Sequence, residues 1–343
     1  PDVFDYNLAA FACEKGGQWD QVLLLLDGMR AEGLTPNAVS FSCAVSACGL
    51  ERALSLSLID RSKTSDGDMK FDSESSLVLN AEELPKLAEA GRILYEDEDI
   101  IVVNKPSGCM VHPTPGNERS TLLNGIMYYL EKSGARFDWK ELRPLKGIPG
   151  CVHRLDKDTT GCVVVAKHVM AQARLFLSFA EHKVQKRYMC VSLGQLETSL
   201  LDVETLIEQN QKDRRRWMAV PLTTRNPSGN FAKSVVSARG CDWFDQNKRD
   251  RKFSVLDVDL FTGRTHQVRV HTKYVGTPIL GDRLYGVKAW NEFVQERYGI
   301  SRPLLHAHRL TFPHPMRPSE TVSVEAAVPS DFHAIAGQIV EGM

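Results

Sequence analysis

The sequence predicts an α+β protein whose main domain is built on a mixed, largely antiparallel sheet, preceded by an α-helical hairpin segment. Beyond residue 92 the chain alternates short strand-like and helix-like segments, and the strands outnumber the helices. Apolar strand patterns occupy 162–167 (CVVVAK), 187–194 (RYMCVSLG) and 253–260 (FSVLDVDL), the last with a period of two. The connections are too short for regular parallel crossovers, which favours antiparallel pairing.

Composition narrows the class of protein. Of the 343 residues, 43% are apolar and 25% are charged, which is typical of a soluble globular protein and excludes a wholly disordered chain, collagen and a disulfide mini-protein. No apolar run approaches the roughly 18 residues that a membrane-spanning helix needs. None of the eight cysteines belongs to a CxxC pair, so we expect reduced, mostly buried thiols and no zinc site.

Charge is distributed unevenly along the chain. The whole sequence holds 42 Lys/Arg and 43 Asp/Glu, a net charge of −1, but residues 143–275 hold 23 Lys/Arg against 13 Asp/Glu. That stretch therefore carries +10 and the remainder carries −11. An asymmetry of this size predicts a polyanionic partner for the basic stretch.

The first 57 residues contain the pattern of a helical hairpin. One short apolar helix is predicted over 6–15 and a second over 19–32, separated by Gly16 and Gly17. The buried stripe of the second helix is expected to comprise Val22, Leu25, Leu26 and Met29.

Part of this hairpin pattern recurs at a spacing of 35 residues, for example from Tyr6 to Phe41. The segment 6–37, YNLAAFACEKGGQWDQVLLLLDGMRAEGLTPN, resembles a pentatricopeptide repeat. Such repeats read single-stranded RNA at about one base per repeat, and the resemblance implies that Asn7 and Asn37 are the base-reading pair. The second repeat loses the pattern after AVSFSCAVSACG, so a remnant hairpin without RNA contact is the alternative. The resemblance favours a chloroplast or mitochondrial location, with cytoplasm and nucleus left open.

These patterns divide the chain into three parts. We predict a partial repeat segment over 1–57, a linker over 58–85 and an α+β domain over 86–335. The linker is rich in Ser, Asp, Glu and Lys and has few large apolar residues. Within the domain, 169–182 and 265–275 are predicted helices.

The segment HRLDKDTTG at 153–161 places two carboxylates and a turn directly before an apolar strand. Asp156 lies between Arg154 and Lys157, and positive neighbours stabilise a carboxylate. Polar clusters of this kind in loops are common functional positions. The alternative is a solvated turn with a surface ion pair.

A second polar cluster, TGRTHQVRVH at 262–271, follows the strand that ends at Leu260. It begins a run of five basic or imidazole side chains: Arg264, His266, Arg269, His271 and Lys273. His266 and His271 are five residues apart, which is a poor spacing for a metal pair on a helix, so we expect no metal. The alternative is a solvated basic face.

Three further basic runs are KVQKRY at 183–188, KDRRRWM at 212–218 and KRDRK at 248–252. Basic residues beside an aromatic suit contacts with the RNA backbone and bases, although each run alone is also typical of a surface loop. The sequence lacks a GxxxxGK[ST] phosphate loop, a GxSxG nucleophile turn and a glycine-rich dinucleotide fingerprint.

Several segments in fixed order carry a second resemblance. They are NKPSGCMVHP at 104–113, HRLDKDTTG, KRYMCVSLG at 186–194, TGRTHQVRVH, PILGDRLYG at 278–286 and LLHAHRLTFPHP at 304–315. Together they resemble the RluA family of RNA pseudouridine synthases over roughly 92–330. The resemblance implies a pseudouridine synthase catalytic domain on this sheet and an enzyme that isomerises uridine to pseudouridine in RNA, with base flipping and no cofactor or metal.

The same resemblance assigns roles to residues. Asp156 is the implied catalytic carboxylate, and Tyr188 is the implied ring that stacks on uracil. We further expect Arg269 to orient Asp156 through two parallel hydrogen bonds and Arg154 to fill the gap left by the flipped nucleotide. RNA-binding residues are expected to include Arg154, His153, Arg264, His266, Lys186, Arg187, Arg214, Arg215 and Arg216.

The expected partner is RNA, whether ribosomal, transfer or messenger, with no membrane and with the protein as a monomer. Two alternatives remain at this point. One is an RNA-binding protein of the same fold that has lost catalysis, and the other is a repeat-type RNA adaptor with a structural C-terminal domain.

Overall fold

The computed structural model describes residues 3–15, 18–34, 36, 40, 43–44, 92–113, 120–134, 150–224, 228–244 and 252–341. Within these ranges the chain forms a helical hairpin and a ten-stranded sheet with packed helices. The predicted linker at 58–85 and Asn37 lie outside them. No helix in this part of the chain is both long and apolar enough to cross a membrane.

The N-terminal hairpin consists of α1 (Val3–Lys15) and α2 (Trp19–Ala31). Of the expected stripe on α2, three side chains (Val22, Leu26, Met29) are buried and Leu25 is half-buried. The two predicted helices are therefore present. Most of the second repeat lies outside the described residues, so the assignment to the pentatricopeptide family stays a prediction.

The sheet contains ten strands. They are β1 (Ile93–Glu96), β2 (Ile100–Lys105), β3 (Thr160–Ala166), β4 (Gln185–Leu193), β5 (Leu200–Gln209), β6 (Trp217–Val220), β7 (Asn230–Trp243), β8 (Lys252–Leu260), β9 (Leu305–Pro313) and β10 (Thr321–Glu325). Their order is β1-β2-β3-β9-β4-β8-β7-β5-β6, with β10 paired to β9. Only β3 and β9 pair in parallel among these strands, which confirms the predicted mixed, largely antiparallel sheet.

Helices cover the sheet. They are α3 (Leu122–Ser133), α4 (Val169–Ala180), α5 (Gln267–Tyr274), α6 (Lys288–Tyr298) and α7 (Ser330–Glu341). The helices predicted over 169–182 and 265–275 correspond to α4 and α5. Strand side chains alternate between faces, so Ile101 and Val163 pack against α3 while Val102 and Val164 pack against α4. Helices on both faces explain why β2 and β3 are nearly continuous apolar runs.

Seven of the cysteines lie in the described ranges, and all seven are free thiols. Four are buried, including Cys162 and Cys190 in the sheet, and Cys241 is exposed. Cys48 lies outside these ranges.

Candidate active site

The HRLD segment forms a loop that leads into β3. Asp156 is half-buried in this loop, and Leu155 beside it points into the core. The carbonyl of Asp156 accepts a hydrogen bond from the N–H of Thr159 at 3.1 Å, which closes a turn directly before the strand begins at Thr160. The start of a buried strand therefore fixes where this carboxylate lies.

Lys105, at the end of β2, holds the same loop from the interior. Its ammonium group donates to the carbonyls of Cys109 (2.7 Å), Lys157 (2.8 Å) and Pro106 (2.9 Å), and its side chain is fully buried. Burial lowers the pKa of Lys105 to about 8, and the three carbonyls supply the hydrogen bonds that a buried ammonium requires. This lysine ties the backbone next to Asp156 to the sheet.

Buried Gln267 anchors the start of α5. Its Oε1 accepts hydrogen bonds from Thr262 Oγ1 (2.7 Å) and the N–H of Arg264 (3.0 Å), and its Nε2 donates to Ser234 Oγ (2.9 Å) and the Lys233 carbonyl (3.0 Å). All four hydrogen-bonding positions of the amide are thus used. They fix the 262–266 loop against β7 and so position the helix that carries Arg269.

Arg269 joins two carboxylates. Its Nη1 donates to Asp156 Oδ2 at 2.9 Å, while its Nε and Nη2 donate to Asp282 at 2.7 and 2.8 Å. The prediction that Arg269 donates two parallel hydrogen bonds to Asp156 is therefore wrong. Arg269 donates that pair to Asp282 and only one hydrogen bond to Asp156. Burial disfavours the charge of Arg269, but the hydrogen bonds and charge of Asp282, followed by those of Asp156, raise its pKa.

Tyr188 lies on β4 at the junction of two apolar cores. Burial, followed by the negative charge of Asp156, raises the pKa of Tyr188 above its ordinary value, so its hydroxyl is protonated at neutral pH. Within the described ranges no hydrogen bond to this hydroxyl is present. The ring is thus held by packing, and the residue lines the cavity.

These three side chains line a cavity of about 400 Å³. Its walls come from the HRLD loop, from α4 through Phe176 and Phe179, from β4, and from residues 262–269. The exposed cations Arg154 and Arg264 line it as well, together with Lys186. Asp156 is the only carboxylate among the lining residues that the structure describes. The structure therefore brings eight of the predicted site residues together: Asp156, Arg269, Tyr188, Arg154, His153, Arg264, His266 and Lys186.

His153 lines the cavity but is neutral. Its Nε2 accepts a hydrogen bond from the N–H of Val164 at 3.0 Å, and its ring stacks on Phe179 with centroids 4.8 Å apart. Burial, followed by the charge of Lys186, lowers the pKa of His153 to about 3. This geometry gives His153 a structural role in the loop and leaves no cation there for a phosphate.

Lys186 and Arg187 are adjacent in sequence and lie on opposite faces of β4. Lys186 lines the cavity, and its Nζ donates to the Thr262 carbonyl at 3.3 Å. Arg187 instead forms a two-bond ion pair with Asp259 on the neighbouring strand, at 2.7 and 2.9 Å. Because strand side chains alternate between faces, Lys186 lines the cavity and Arg187 lies outside it, so RNA binding by Arg187 stays a prediction.

His266 lies next to the carboxylate at the start of α5. Its Nε2 is 3.8 Å from Asp156 Oδ2, and its Nδ1 is 2.8 Å from the Tyr285 hydroxyl. The residue has a left-handed backbone conformation, with φ of 57°, which is uncommon for a residue with a side chain. Burial lowers the pKa of His266, while the charge of Asp156 opposes that shift.

The predicted RNA contacts at Arg214, Arg215 and Arg216 do not line this cavity. They lie on the loop between β5 and β6, where Arg215 donates two hydrogen bonds to Asp213, each of 3.0 Å. Arg216 lies 3.4 Å from the same carboxylate.

One cluster in the described ranges offers several potential metal ligands: Asp97, Asp99 and His314. None of the three lines the cavity. Arg317 contacts both carboxylates, at 2.9 Å and 3.4 Å, and His314 Nε2 is 2.7 Å from Asp97. These contacts join the β1–β2 turn to the connection between β9 and β10.

Sequence reasoning missed three residues that position the site: Lys105, Asp282 and Tyr285. Lys105 is part of NKPSG, and the other two are part of PILGDRLYG. Both segments belong to the set that resembles the family, but no role for these three residues is predicted from the sequence. A lysine inside an apolar strand pattern was the available signal for Lys105, because a buried ammonium needs partners.

The arrangement suits chemistry by a single carboxylate. Glycosidic bond hydrolysis typically uses two catalytic carboxylates, whereas Asp158 is exposed and does not line the cavity. The cavity instead combines three features: a carboxylate held by an arginine, an aromatic ring, and several cations. Together they suit an aromatic base attached to a phosphate backbone.

Comparison with known proteins gives the same assignment. Residues 99–274 match the family model described as RNA pseudouridylate synthase. An uncharacterized RNA pseudouridine synthase of Bacillus subtilis (YlyB) is 36% identical over 241 residues, covering 70% of this chain and 69% of the relative. The ribosomal large subunit pseudouridine synthase D of Yersinia pestis is 36% identical over 247 residues, covering 70% and 67%.

A solved structure shares the fold. Human RNA pseudouridylate synthase domain containing 1 matches with a TM-score of 0.53 at 24% identity, over 73% of this chain and 93% of that chain. The family match and the sequence relatives establish more than the fold. This chain belongs to the RNA pseudouridine synthases, the isomerases that convert uridine in RNA to pseudouridine.

Proposed function

We propose that the cavity around Asp156 is where this protein converts a uridine to pseudouridine, and that ribosomal RNA of the large subunit is its substrate. The observation that carries the first part is the placement of Asp156, bonded to Arg269 at 2.9 Å in a cavity shared with Tyr188. The second part rests on relatives named as large-subunit ribosomal RNA enzymes, such as that of Yersinia pestis.

The reaction needs only groups that the cavity contains. The C1′–N1 bond of uridine breaks, the uracil turns, and C1′ bonds to C5. The proton on C5 leaves and N1 ends protonated, so nothing is oxidised, reduced or hydrolysed. In this reaction Asp156 either attacks C1′ as a nucleophile and is displaced when C5 bonds to C1′, or removes the proton at C2′ and returns it when that bond forms. Both roles use the carboxylate of Asp156, which accepts a hydrogen bond from Arg269 Nη1 at 2.9 Å.

Tyr188 would hold the base while it is detached. A stacked ring keeps the uracil close and still lets it turn in its own plane, which a set of directed hydrogen bonds would not. The apolar walls contributed by Phe176 and Phe179 on α4 support the same function, since they limit water around the broken glycosidic bond.

The cations at the cavity would bind the RNA backbone. Lys186 and Arg264 line the cavity near Tyr188, and Arg154 is exposed beside Asp156. An enzyme that modifies a base inside structured RNA must turn the nucleotide out of its stack. Arg154 would occupy the gap that the nucleotide leaves. We also propose that the N-terminal hairpin contacts RNA, on the basis of its resemblance to RNA-reading repeats.

A direct assay tests the proposal. Transcribed large-subunit ribosomal RNA, transfer RNA and messenger RNA are incubated separately with the wild-type protein and with Asp156→Asn. Pseudouridine is then detected by carbodiimide-dependent primer-extension stops. We expect stops in ribosomal RNA with the wild type only, and RNA binding by the variant within several-fold of wild type. A folded Asp156→Asn protein with turnover within about tenfold of wild type would exclude the assigned role.

A further inference from the structure

A second cavity, of about 260 Å³, lies between α5 and β6 and is separate from the first. We refer to it as the α5–β6 cavity, lined chiefly by Arg216, Trp217, Met218, Val270, Lys273 and Tyr274. We propose that it binds another nucleotide of the RNA strand whose uridine enters the first cavity. The proposal rests on the proposed function, since it extends the same RNA across the protein.

The lining of the α5–β6 cavity has the chemistry of a nucleotide site. Tyr274 is 48% exposed and Met218 is 42% exposed, so a flat apolar surface is available to a planar ligand. Trp217 adds a second aromatic side chain and Lys273 an exposed cation. Neither Lys273 nor Tyr274 makes a side-chain hydrogen bond or ion pair within the described ranges. Stacking on aromatic rings together with cations along a groove is how proteins bind single-stranded RNA.

The charge around this cavity favours a polyanion. The adjoining loop between β5 and β6 contains Lys212, Arg214, Arg215 and Arg216 against a single carboxylate, Asp213. That carboxylate is shared by Arg215 and Arg216, and Arg214 is exposed. Unbalanced positive charge beside an exposed aromatic surface fits a phosphate linked to a base. Binding a cationic or purely apolar partner at the same place would be unfavourable, because the positive charges would be repelled or left without counter-charges.

One side chain connects the two cavities. The buried Tyr285 accepts a hydrogen bond from the N–H of Trp217 at 2.8 Å, and its hydroxyl lies 2.8 Å from His266 Nδ1. Trp217 lines the α5–β6 cavity and His266 lines the first, with its Nε2 3.8 Å from Asp156. The two cavities therefore lie within one hydrogen-bonded unit.

Helix α5 also serves both cavities. It contributes Val268 and Arg269 to the first and Val270, Lys273 and Tyr274 to the second. A helix of eight residues is about 12 Å long. Nucleic acid strands advance by about 3.4 Å per phosphate when stacked, so a few nucleotides cover that distance. The nucleotide in the α5–β6 cavity would be a near neighbour of the modified uridine.

Binding of a fluorescein-labelled oligouridylate of about twelve nucleotides, measured by fluorescence anisotropy, tests the inference. We expect Tyr274→Ala to weaken binding about fivefold to hundredfold and Tyr274→Phe to bind like wild type, because the ring is what stacks. Lys273→Ala should reduce the log–log slope of affinity against salt by about 0.7, the value for one phosphate contact. Lys288→Ala is the matched control, since Lys288 is 91% exposed on α6 and lines neither cavity.

A strand of the same length without bases separates the two contacts. On that strand the Tyr274→Ala penalty should disappear, whereas the Lys273→Ala effect should remain. The single-turnover rate at saturating RNA should match wild type for both variants, because neither residue lines the first cavity. Thermal unfolding of each variant checks the fold, and both side chains are exposed.

The outcomes are distinguishable from those for the proposed function. The inference is overturned if Tyr274→Ala binds within about twofold of wild type and Lys273→Ala has the slope of Lys288→Ala. It is also overturned if the wild-type protein does not bind the oligouridylate. A wild-type protein that forms no pseudouridine, but whose binding still depends on Tyr274 and Lys273, would exclude the proposed function and keep the nucleotide site.

Discussion

Arg269 donates two parallel hydrogen bonds to the fully buried carboxylate of Asp282, at 2.7 and 2.8 Å. Its remaining Nη1 reaches Asp156 at 2.9 Å. Asp282 in turn accepts hydrogen bonds from the N–H groups of Leu284 and Tyr285, so its position is set by the backbone. Asp282 thus positions Arg269, and Arg269 positions Asp156.

Asp282→Asn is expected to lower the rate of the chemical step by at least about tenfold while leaving RNA affinity within several-fold. An amide keeps the shape but cannot accept both hydrogen bonds of the guanidinium, and it leaves the buried charge of Arg269 with the Asp156 carboxylate alone. Removing one partner of a buried ion pair costs about 3–5 kcal/mol. Single-turnover kinetics and urea unfolding measure the two effects.

Asp259→Asn is the control for this prediction. Asp259 also makes two hydrogen bonds to an arginine, Arg187, but that pair is more than a third exposed and lies outside the cavity. Exposed pairs of this kind contribute about 0–1 kcal/mol. Equal loss of rate in Asp259→Asn and Asp282→Asn would contradict a positioning role for Asp282.

Tyr188→Phe should retain more activity than Tyr188→Ala if stacking on the base is the main role of the ring. Stacking on one base contributes roughly 1–3 kcal/mol, whereas Phe keeps the ring and loses only the hydroxyl. Single-turnover rates are compared for variants whose fold is verified by circular dichroism, because Ala leaves a void at the junction of two cores. Equal loss in both variants would instead assign the role to the hydroxyl, as a proton carrier.

Much of the fold follows from local patterns in the sequence. The apolar runs of β3 and β4 and the alternation in β8 identify strands, and the helices α4 and α5 begin and end within two residues of their predicted bounds. Each pattern arises from side chains a few residues apart, so it is visible without knowledge of the tertiary structure.

The site was predicted less completely, for two physical reasons. Local clustering of basic residues does not distinguish the faces of a strand, which is why Arg187 was grouped with Lys186. Contacts across the fold leave no local pattern either. Asp282 and Asp156 both bind Arg269, but they are far apart in the sequence and meet only through the sheet topology. His153 similarly depends on a main-chain N–H of β3 that the loop sequence does not indicate.

RNA affinity should decrease as pH rises through about 8, and Lys186→Arg should abolish most of this dependence. Burial, followed by the charge of Arg264, lowers the pKa of Lys186 from 10.5 to about 8. The ammonium group is therefore charged below that pH and neutral above it. A hydrogen bond from a charged group is worth about 1.5–3 kcal/mol, so we expect roughly a tenfold loss between about pH 7 and about pH 9. Arginine stays charged throughout.

Unfolding of the protein caused by deprotonation of Lys186 would not explain the expected loss of RNA affinity at high pH. Because the folded pKa of Lys186 lies below its ordinary value, the folded state binds fewer protons between pH 8 and 10.5. The contribution of Lys186 to stability therefore improves as pH rises through that window, opposite in sign to the expected loss of RNA affinity. Parallel pH profiles in the wild type and Lys186→Arg would show that Lys186 is not the titrating group.

The N-terminal hairpin has few apolar contacts with the sheet domain in the described ranges. Its apolar cluster includes Leu26 and Met29 of α2, and Met170 on α4 is the one member contributed by the domain. The first strand, β1, begins at Ile93, and the residues that line the first cavity lie between Val152 and Leu305. The core and the cavity are therefore built without the hairpin.

Deleting residues 1–85 is accordingly expected to leave a folded domain that performs the chemical step at close to the wild-type rate. Loss of the contact at Met170 exposes one apolar side chain, which costs at most about 1–3 kcal/mol. Target preference or affinity should change if the hairpin reads RNA, since one base contact contributes about 1–3 kcal/mol. Single-turnover rates at saturating RNA separate these effects from each other. A large fall in the chemical rate of a soluble, folded truncation would mean that the hairpin belongs to the catalytic unit, and that the boundary at residue 86 is wrong.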